Sequence, residues 1–80
     1  MKKLMVNLNS IDDVKEFCEK CTFNADFDID LVSGRYVIDA KSIMGIFSLD
    51  LSKPIELTIH CDEVDASKKF LESIDRFLVK

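Results

Sequence analysis

The chain has 80 residues, so it can form one small domain with a single hydrophobic core. Hydrophobic residues make up 48% and charged residues 32%, which is typical of a folded globular protein. Eleven basic against fifteen acidic residues give a net charge of -4, which disfavours binding to nucleic acid and to anionic membranes.

The first residues and the cysteines bear on the compartment in which the protein works. Asn7 and Asn9 interrupt the first apolar stretch, which is therefore too short for the apolar region of a signal peptide. No stretch approaches the roughly 18 apolar residues of a membrane span. The three cysteines are an odd number, which fits poorly with a secreted disulfide framework. We therefore expect a cytoplasmic protein with free thiols.

The start of the chain predicts a strand followed by a helix. Leu4, Val6 and Leu8 recur with a period of two, which is typical of a strand with one buried face. Ser10 can cap a helix through its hydroxyl, and Asp13 can reach back as in a capping box. The helix has one apolar face, formed by five residues at helical spacing: Ile11, Val14, Phe17, Cys18 and Cys21.

The next segment predicts a β-hairpin. Phe27, Ile29 and Leu31 alternate with three aspartates, which gives the strand one apolar and one acidic face. Ser33 and Gly34 mark the turn. The return strand is expected to place three side chains on one face: Tyr36, Ile38 and Ala40.

A short helix, a strand and a final helix complete the chain. Ser42 is a good N-cap for a short helix from Ile43 to Ser48. The fourth strand alternates, with four residues on its apolar face: Ile55, Leu57, Ile59 and Cys61. Asp65 is expected to cap the last helix, whose apolar positions are Phe70, Leu71, Ile74, Phe77 and Leu78.

The predicted order of elements is β-α-β-β-α-β-α. Every strand alternates, so the sheet has one apolar face and must be covered on that face alone. The two long amphipathic helices can provide this cover. The predicted fold class is α+β, an open-faced sandwich with a four-stranded antiparallel sheet and the helices on one face.

Two segments resemble a known family. Residues 41–49 read K-S-I-M-G-I-F-S-L, which resembles the segment K-S-I-M-G-V-M-S-L around the regulatory serine of HPr, the histidine-containing phosphocarrier of the phosphoenolpyruvate-sugar phosphotransferase system. Residues 53–59, K-P-I-E-L-T-I, resemble the fourth strand of that family. The resemblance covers nearly the whole chain and is strongest from Phe27 onward. It implies an HPr-like fold for a domain over residues 1–80, and a phosphocarrier rather than an enzyme.

The resemblance fails at the family's phosphate-carrying site. HPr proteins carry G-I-H-A-R-P-A at the junction of the first strand and first helix, where the histidine receives phosphate from enzyme I. An ungapped count back from Ser42 puts Ile11 in the histidine slot and Asp13 in the arginine slot. Isoleucine has no nucleophile, and Asp12 and Asp13 place negative charge where the amides of a helix N-terminus would hold a phosphoryl group. We therefore expect a regulatory or protein-interaction module that cannot carry phosphate on histidine.

Ser42 and the short helix are the predicted contact points for partners. Ser42 can be a plain N-cap, or, by the resemblance, a serine that HPr kinase phosphorylates. Ile43, Met44 and Phe47 crowd a helix too short to bury all its apolar residues, so some are expected to form a docking surface. We expect a monomer with protein partners, HPr kinase or other proteins of the phosphotransferase system and its regulation among them.

His60 is the only histidine, and it carries the alternative interpretation. It could be a relocated phosphate acceptor in an active phosphocarrier, or simply an exposed histidine on a strand. Glu56 and Asp62 are its expected neighbours, and their charges oppose a phosphoryl group.

Two further patterns resemble sites but favour a structural explanation. Cys18 and Cys21 form C-x-x-C, but both lie on the apolar helix face, where buried small side chains are expected. The three aspartates from Asp26 to Asp30 lack the glycine and glutamate that a calcium loop needs at its sixth and twelfth positions. We expect no metal site and no cofactor.

Overall fold

The computed structural model describes residues 2–79, and its strands and helices follow the predicted order, with a short 3-10 turn after the last helix. Met1 and Lys80, the outermost residues of the predicted domain, lie outside the described residues. The elements are β1 (Lys2–Val6), α1 (Ile11–Asn24), β2 (Asp28–Ser33), β3 (Tyr36–Asp39), α2 (Ile43–Phe47), β4 (Ile55–His60), α3 (Val64–Ser73) and a 3-10 turn (Asp75–Phe77).

The four strands form one antiparallel sheet in the order β1-β4-β2-β3. A tight turn joins β2 to β3, and its Gly34 has a φ of 59°, a backbone region that side chains with a Cβ rarely adopt. A central row of the register joins Leu4, Leu57, Leu31 and Ile38 across all four strands. This row faces the helices, because Leu57 and Leu31 are fully buried.

The core lies between one face of the sheet and the two long helices. Phe17 of α1 meets Phe77 of the 3-10 turn edge to face, with ring centroids 5.7 Å apart. Phe27 and Phe70 form a second edge-to-face pair at 5.9 Å. Both arrangements place a ring edge against a ring face, the geometry that aromatic quadrupoles favour. The predicted α+β class and open-faced sandwich are therefore confirmed.

Several predicted positions differ at the ends of the elements. Ile11 was expected on the buried face of α1 but is 64% exposed, because it is the first helical residue and the buried side chains begin at Val14. β1 ends at Val6, although Leu8 is fully buried beyond the strand. Tyr36 shares a face with Ile38, as predicted, because it pairs with Ser33 where Ile38 pairs with Leu31, but its side chain is exposed next to the turn.

The last two helices also differ from the prediction. The N-cap of α3 is Glu63, so Asp65 lies in the first turn, where its charge still suits the helix dipole. The helix ends at Ser73, and the predicted continuation to Phe77 is a separate 3-10 turn after Ile74. The short helix α2 ends at Phe47, because the Ser48 N–H donates to carbonyls of the preceding turn and closes it.

Two further sequence predictions, on the state of the cysteines and on membrane-spanning segments, can be compared with the structure. All three cysteines are unpaired, as predicted. None of the helices within residues 2–79 is long and apolar enough to span a membrane.

The burial of α1 leads to a stability prediction. Phe17→Ala removes a fully buried ring that packs on Phe77, so it should lower the free energy of unfolding by about 3–5 kcal/mol. Phe23→Ala, on the same helix but 80% exposed, should change it by less than ~0.5 kcal/mol. Urea unfolding followed by circular dichroism measures both, and similar losses in the two variants would contradict this packing.

Candidate functional site

The N-terminus of α1 is held by a reciprocal pair of hydrogen bonds. The Asp13 N–H donates to Ser10 Oγ at 3.1 Å, which confirms Ser10 as the N-cap. The Asn9 N–H donates to Asp13 Oδ2 at 3.2 Å. The carboxylate thus reaches back as in a capping box, although it binds the amide one residue before the cap.

A guanidinium from the other end of the chain meets this helix start. Arg76 Nη1 donates to Asp13 Oδ1 at 3.1 Å, and Arg76 Nε donates to Glu16 Oε2 at 2.7 Å. The guanidinium carbon also lies 4.0 Å from the centre of the Phe77 ring. Sequence reasoning missed Arg76, because its partners lie about sixty residues away and no local pattern connects them.

These contacts determine the charge at the start of α1. One guanidinium serves the carboxylates of both Asp13 and Glu16, and its hydrogen bond lowers the pKa of Glu16. The same bond raises the pKa of Arg76. Ile11 and Asp12, which precede these residues, are exposed. This end of the helix therefore presents an alkyl group, a free carboxylate and an ion-paired arginine to the solvent.

Ser42 is the N-cap of α2, as predicted, and its side chain is exposed. The Gly45 N–H donates to Ser42 Oγ at a long 3.4 Å. Gly45 brings α2 close to β3, because a Cβ at this position would lie 2.5 Å from Ile38 Cγ2. Lys41 Nζ points away from Ser42 and donates to the carbonyls of Ala25 and Phe27 at 3.0 and 3.1 Å.

The apolar residues of α2 divide between the core and the surface. Ile46 is fully buried, whereas Met44 is 77% and Phe47 38% exposed. Ile43 is half-buried and lines a groove of about 430 Å³ between α1 and α2, where Phe23 of α1 is the most exposed wall. Phe23 was not predicted as part of this surface, because it falls outside the apolar spacing of α1.

His60 lies at the end of β4, opposite Asp28 of β2. Its Nε2 is 2.8 Å from Asp30 Oδ2. Asp30 is not among the neighbours predicted for His60, because it lies thirty residues away in the sequence and comes from the adjacent strand. The carboxylates of Asp28, Asp30 and Asp39 and the imidazole line a shallow cavity of about 450 Å³.

The cysteines of the C-x-x-C pattern are buried in the core, as predicted. Burial raises the pKa of the Cys21 thiol to about 12 and also raises that of Cys18. The Cys18 S–H lies 3.4 Å from the Lys41 carbonyl. Thiols in this state are poor nucleophiles at neutral pH. Within residues 2–79, no group of three or more histidine, cysteine or acidic side chains is placed to hold a metal ion.

Comparison with known proteins identifies the family. The profile of the family described as "PTS HPr component phosphorylation site" matches residues 14–79. The match covers most of the chain, so the protein belongs to the HPr family, whose members are phosphocarriers that interact with other proteins of the phosphotransferase system. The matched region begins at Val14, just after the three residues at the start of α1.

A solved structure agrees with this assignment at the level of the fold. The crystal structure titled "HPr-C-His from Thermoanaerobacter tengcongensis" superposes with a TM-score of 0.72 at 24% sequence identity. The superposition covers 94% of this chain and 92% of that chain. No curated protein gives a significant match to the sequence.

The contact between Arg76 and α1 leads to a prediction about pH. Arg76→Gln should raise the pKa of Glu16 towards its ordinary value of 4.5, because the Arg76 hydrogen bond is the largest cause of the lowered pKa. Since the folded pKa lies below the unfolded one, the stabilisation is present above pH 4.5 and is lost as the pH falls through the folded value.

Carboxyl NMR titration measures this pKa, and Arg35→Gln on the exposed hairpin turn is the matched control. An unchanged pKa for Glu16 in the Arg76 variant, or an equal rise in the Arg35 variant, would contradict the pairing.

Proposed function

We propose that this chain is a member of the HPr family that does not carry phosphate on histidine and that acts as a regulatory or protein-interaction module. The observation that carries the proposal is the start of α1. The first helical residue, Ile11, offers no nucleophile, and the nearest guanidinium, Arg76, is already paired with Asp13 and Glu16. A phosphoryl group at this position would meet the exposed Asp12 carboxylate.

The same helix start resists a simple rearrangement into a phosphate site. Releasing Arg76 to bind a phosphate would leave the carboxylates of Asp13 and Glu16 without their shared partner, close to the incoming negative charge. A bidentate arginine clamp on phosphate uses two parallel N–H groups, and Arg76 already donates from Nε and Nη1 to carboxylates. The ion-paired state of Arg76 therefore supports a loss of the carrier function.

The interaction surface of the proposed module lies on α2 and the adjacent part of α1. Met44 and Phe47 expose apolar side chains, and the groove lined by Ile43 and Phe23 continues this surface. Apolar surface of this kind, rimmed by the charged Lys15 and Glu19, is typical of a protein-binding site. Its proposed partners are proteins of the phosphotransferase system or its regulation, which the chain would meet as a cytoplasmic monomer.

Ser42 is the proposed regulatory site on this surface. Its hydroxyl is exposed, and its one hydrogen bond, from the Gly45 N–H, is long and easily given up. A phosphate on Ser42 would be stabilised by the amides at the start of α2. It would add two negative charges beside Met44, and it would do so without disturbing Lys41, whose ammonium is bound elsewhere.

A second candidate function is an active phosphocarrier that uses His60 as its acceptor. The contact between His60 Nε2 and Asp30 Oδ2 favours it, because a carboxylate can orient an imidazole. The carboxylates of Asp28 and Asp39 in the same cavity oppose it, since they repel a phosphoryl group. We therefore prefer the non-carrying module.

Incubation with enzyme I and labelled phosphoenolpyruvate separates the two functions. We expect no acid-labile label on this chain under conditions that fully label an ordinary HPr, because the start of α1 lacks an imidazole. Label that disappears in a His60→Asn variant would establish the second function and overturn the first. Label that persists in that variant would lie on a residue other than histidine, because His60 is the only histidine, and it would overturn the non-carrying module.

Incubation with an HPr kinase and ATP tests the regulatory site. Intact mass should increase by one phosphate, and Ser42→Ala should abolish the increase.

Met44→Asp should lower the rate of phosphorylation about tenfold or more if α2 is the docking surface, because it places a charge in an apolar contact. Val64→Asp, which adds the same charge at an exposed apolar position on α3, is the control. No added phosphate, or equal loss of rate in both aspartate variants, would contradict the proposal.

A further inference from the structure

The outer face of the sheet is left uncovered, because both long helices pack on the inner face. The register places the outward side chains in three parallel rows. The first row joins Met5, Glu56, Val32 and Val37 across all four strands. The second joins Lys3, Thr58, Asp30 and Asp39, and the third joins His60 and Asp28.

The first row is mostly apolar. Met5 and Val37 are exposed at opposite edges of the sheet, Val37 by 63%, and Val32 between them is half-buried. Glu56 is the single charged residue of this row. Three apolar side chains in register on a solvent-facing sheet leave apolar area that a partner could cover.

The other two rows are acidic. Asp30 and Asp39 pair across β2 and β3, and Asp28 lies two residues before Asp30 on β2, in the next row. Together with Glu56, the face carries four carboxylates, one of which contacts His60, against one lysine, Lys3 at the far edge of the sheet. The acidic rows border the cavity of about 450 Å³ that also contains His60. The charge of this face therefore favours a basic partner and opposes a second copy of the same face.

We propose that the uncovered face of the sheet binds a basic amphipathic helix of a protein partner, with an apolar side chain on the first row and arginine or lysine side chains on the acidic rows. A helix completes this architecture because helices pack on both faces of many sheets. Neighbouring rows lie about 6.8 Å apart along the strands. Residues four apart on one helix face rise about 6 Å, which matches this spacing for a helix aligned with the strands.

This surface is separate from the one in the proposed function. It includes neither Ser42 nor any residue of α1 or α2, so binding here would leave α2 accessible. The two proposals can therefore fail independently, and each has its own measurement.

The test is a titration of ¹⁵N-labelled chain with a 15-residue alanine-based helical peptide that carries one leucine and two arginines, four and eight residues after it. Amide shifts should change at residues of the outer face such as Met5, Asp30 and Val37, and the affinity should fall as salt is raised. The same peptide with glutamate in place of arginine should not bind. Shifts centred on α1 and α2, equal binding of the glutamate peptide, or no binding of the arginine peptide at low salt would overturn the proposal.

Matched variants separate this face from general charge attraction. Asp30→Asn with Asp39→Asn should weaken binding about three- to tenfold, and Val37→Ser about two- to threefold. Asp12→Asn with Glu19→Gln removes two exposed carboxylates from α1 and should leave the affinity within about twofold of the original. Equal weakening by both double variants would show attraction to net charge alone and would overturn the proposal.

Discussion

The sheet buries only one of its two faces, and the rest of this structure depends on that constraint. Leu57 and Leu31 face the helices, while Glu56 and Asp30, their neighbours in sequence, face away. A sheet built in this way can support one layer of helices, so both long helices must lie on the same side. This arrangement leaves the start of α1, one side of α2 and the outer face of the sheet exposed to solvent.

Much of the fold could be predicted because periodicity is a local property of the sequence. The alternation around Ile29 and Ile59 is the signal of half-buried strands, and the spacing from Val14 to Cys21 is that of an amphipathic helix. The ends of elements were harder to predict. Ile11 has the right spacing but stands at the helix start, beyond the buried side chains, and Asp65 is a good capping residue that the chain does not use as a cap.

The candidate site could be predicted only in part, for a related reason. Ser10, Asp13 and Ser42 act through neighbours three or four residues away, so local sequence identifies their hydrogen bonds. Arg76 acts on Asp13 across the whole chain, and the partner of His60 comes from another strand. Contacts of this kind depend on how distant segments pack together, and local sequence patterns carry no information about that packing. The family match identifies the chain as a member of the HPr family. The structure adds the contacts of Arg76 with Asp13 and Glu16 at the start of α1.

The position of β4 in the sheet has a consequence for how the chain folds. β4 lies between β1 and β2, so Lys2–Val6 pair with the distant strand Ile55–His60, and Val6 also bridges to Leu78. The sheet cannot close during synthesis until residue 60 has left the ribosome, although the β2–β3 hairpin can form much earlier. Closing such distant pairs costs chain entropy before any contact repays it, which slows folding relative to helical proteins of the same size. Until then, β2 lacks β4, its neighbour on the side away from β3.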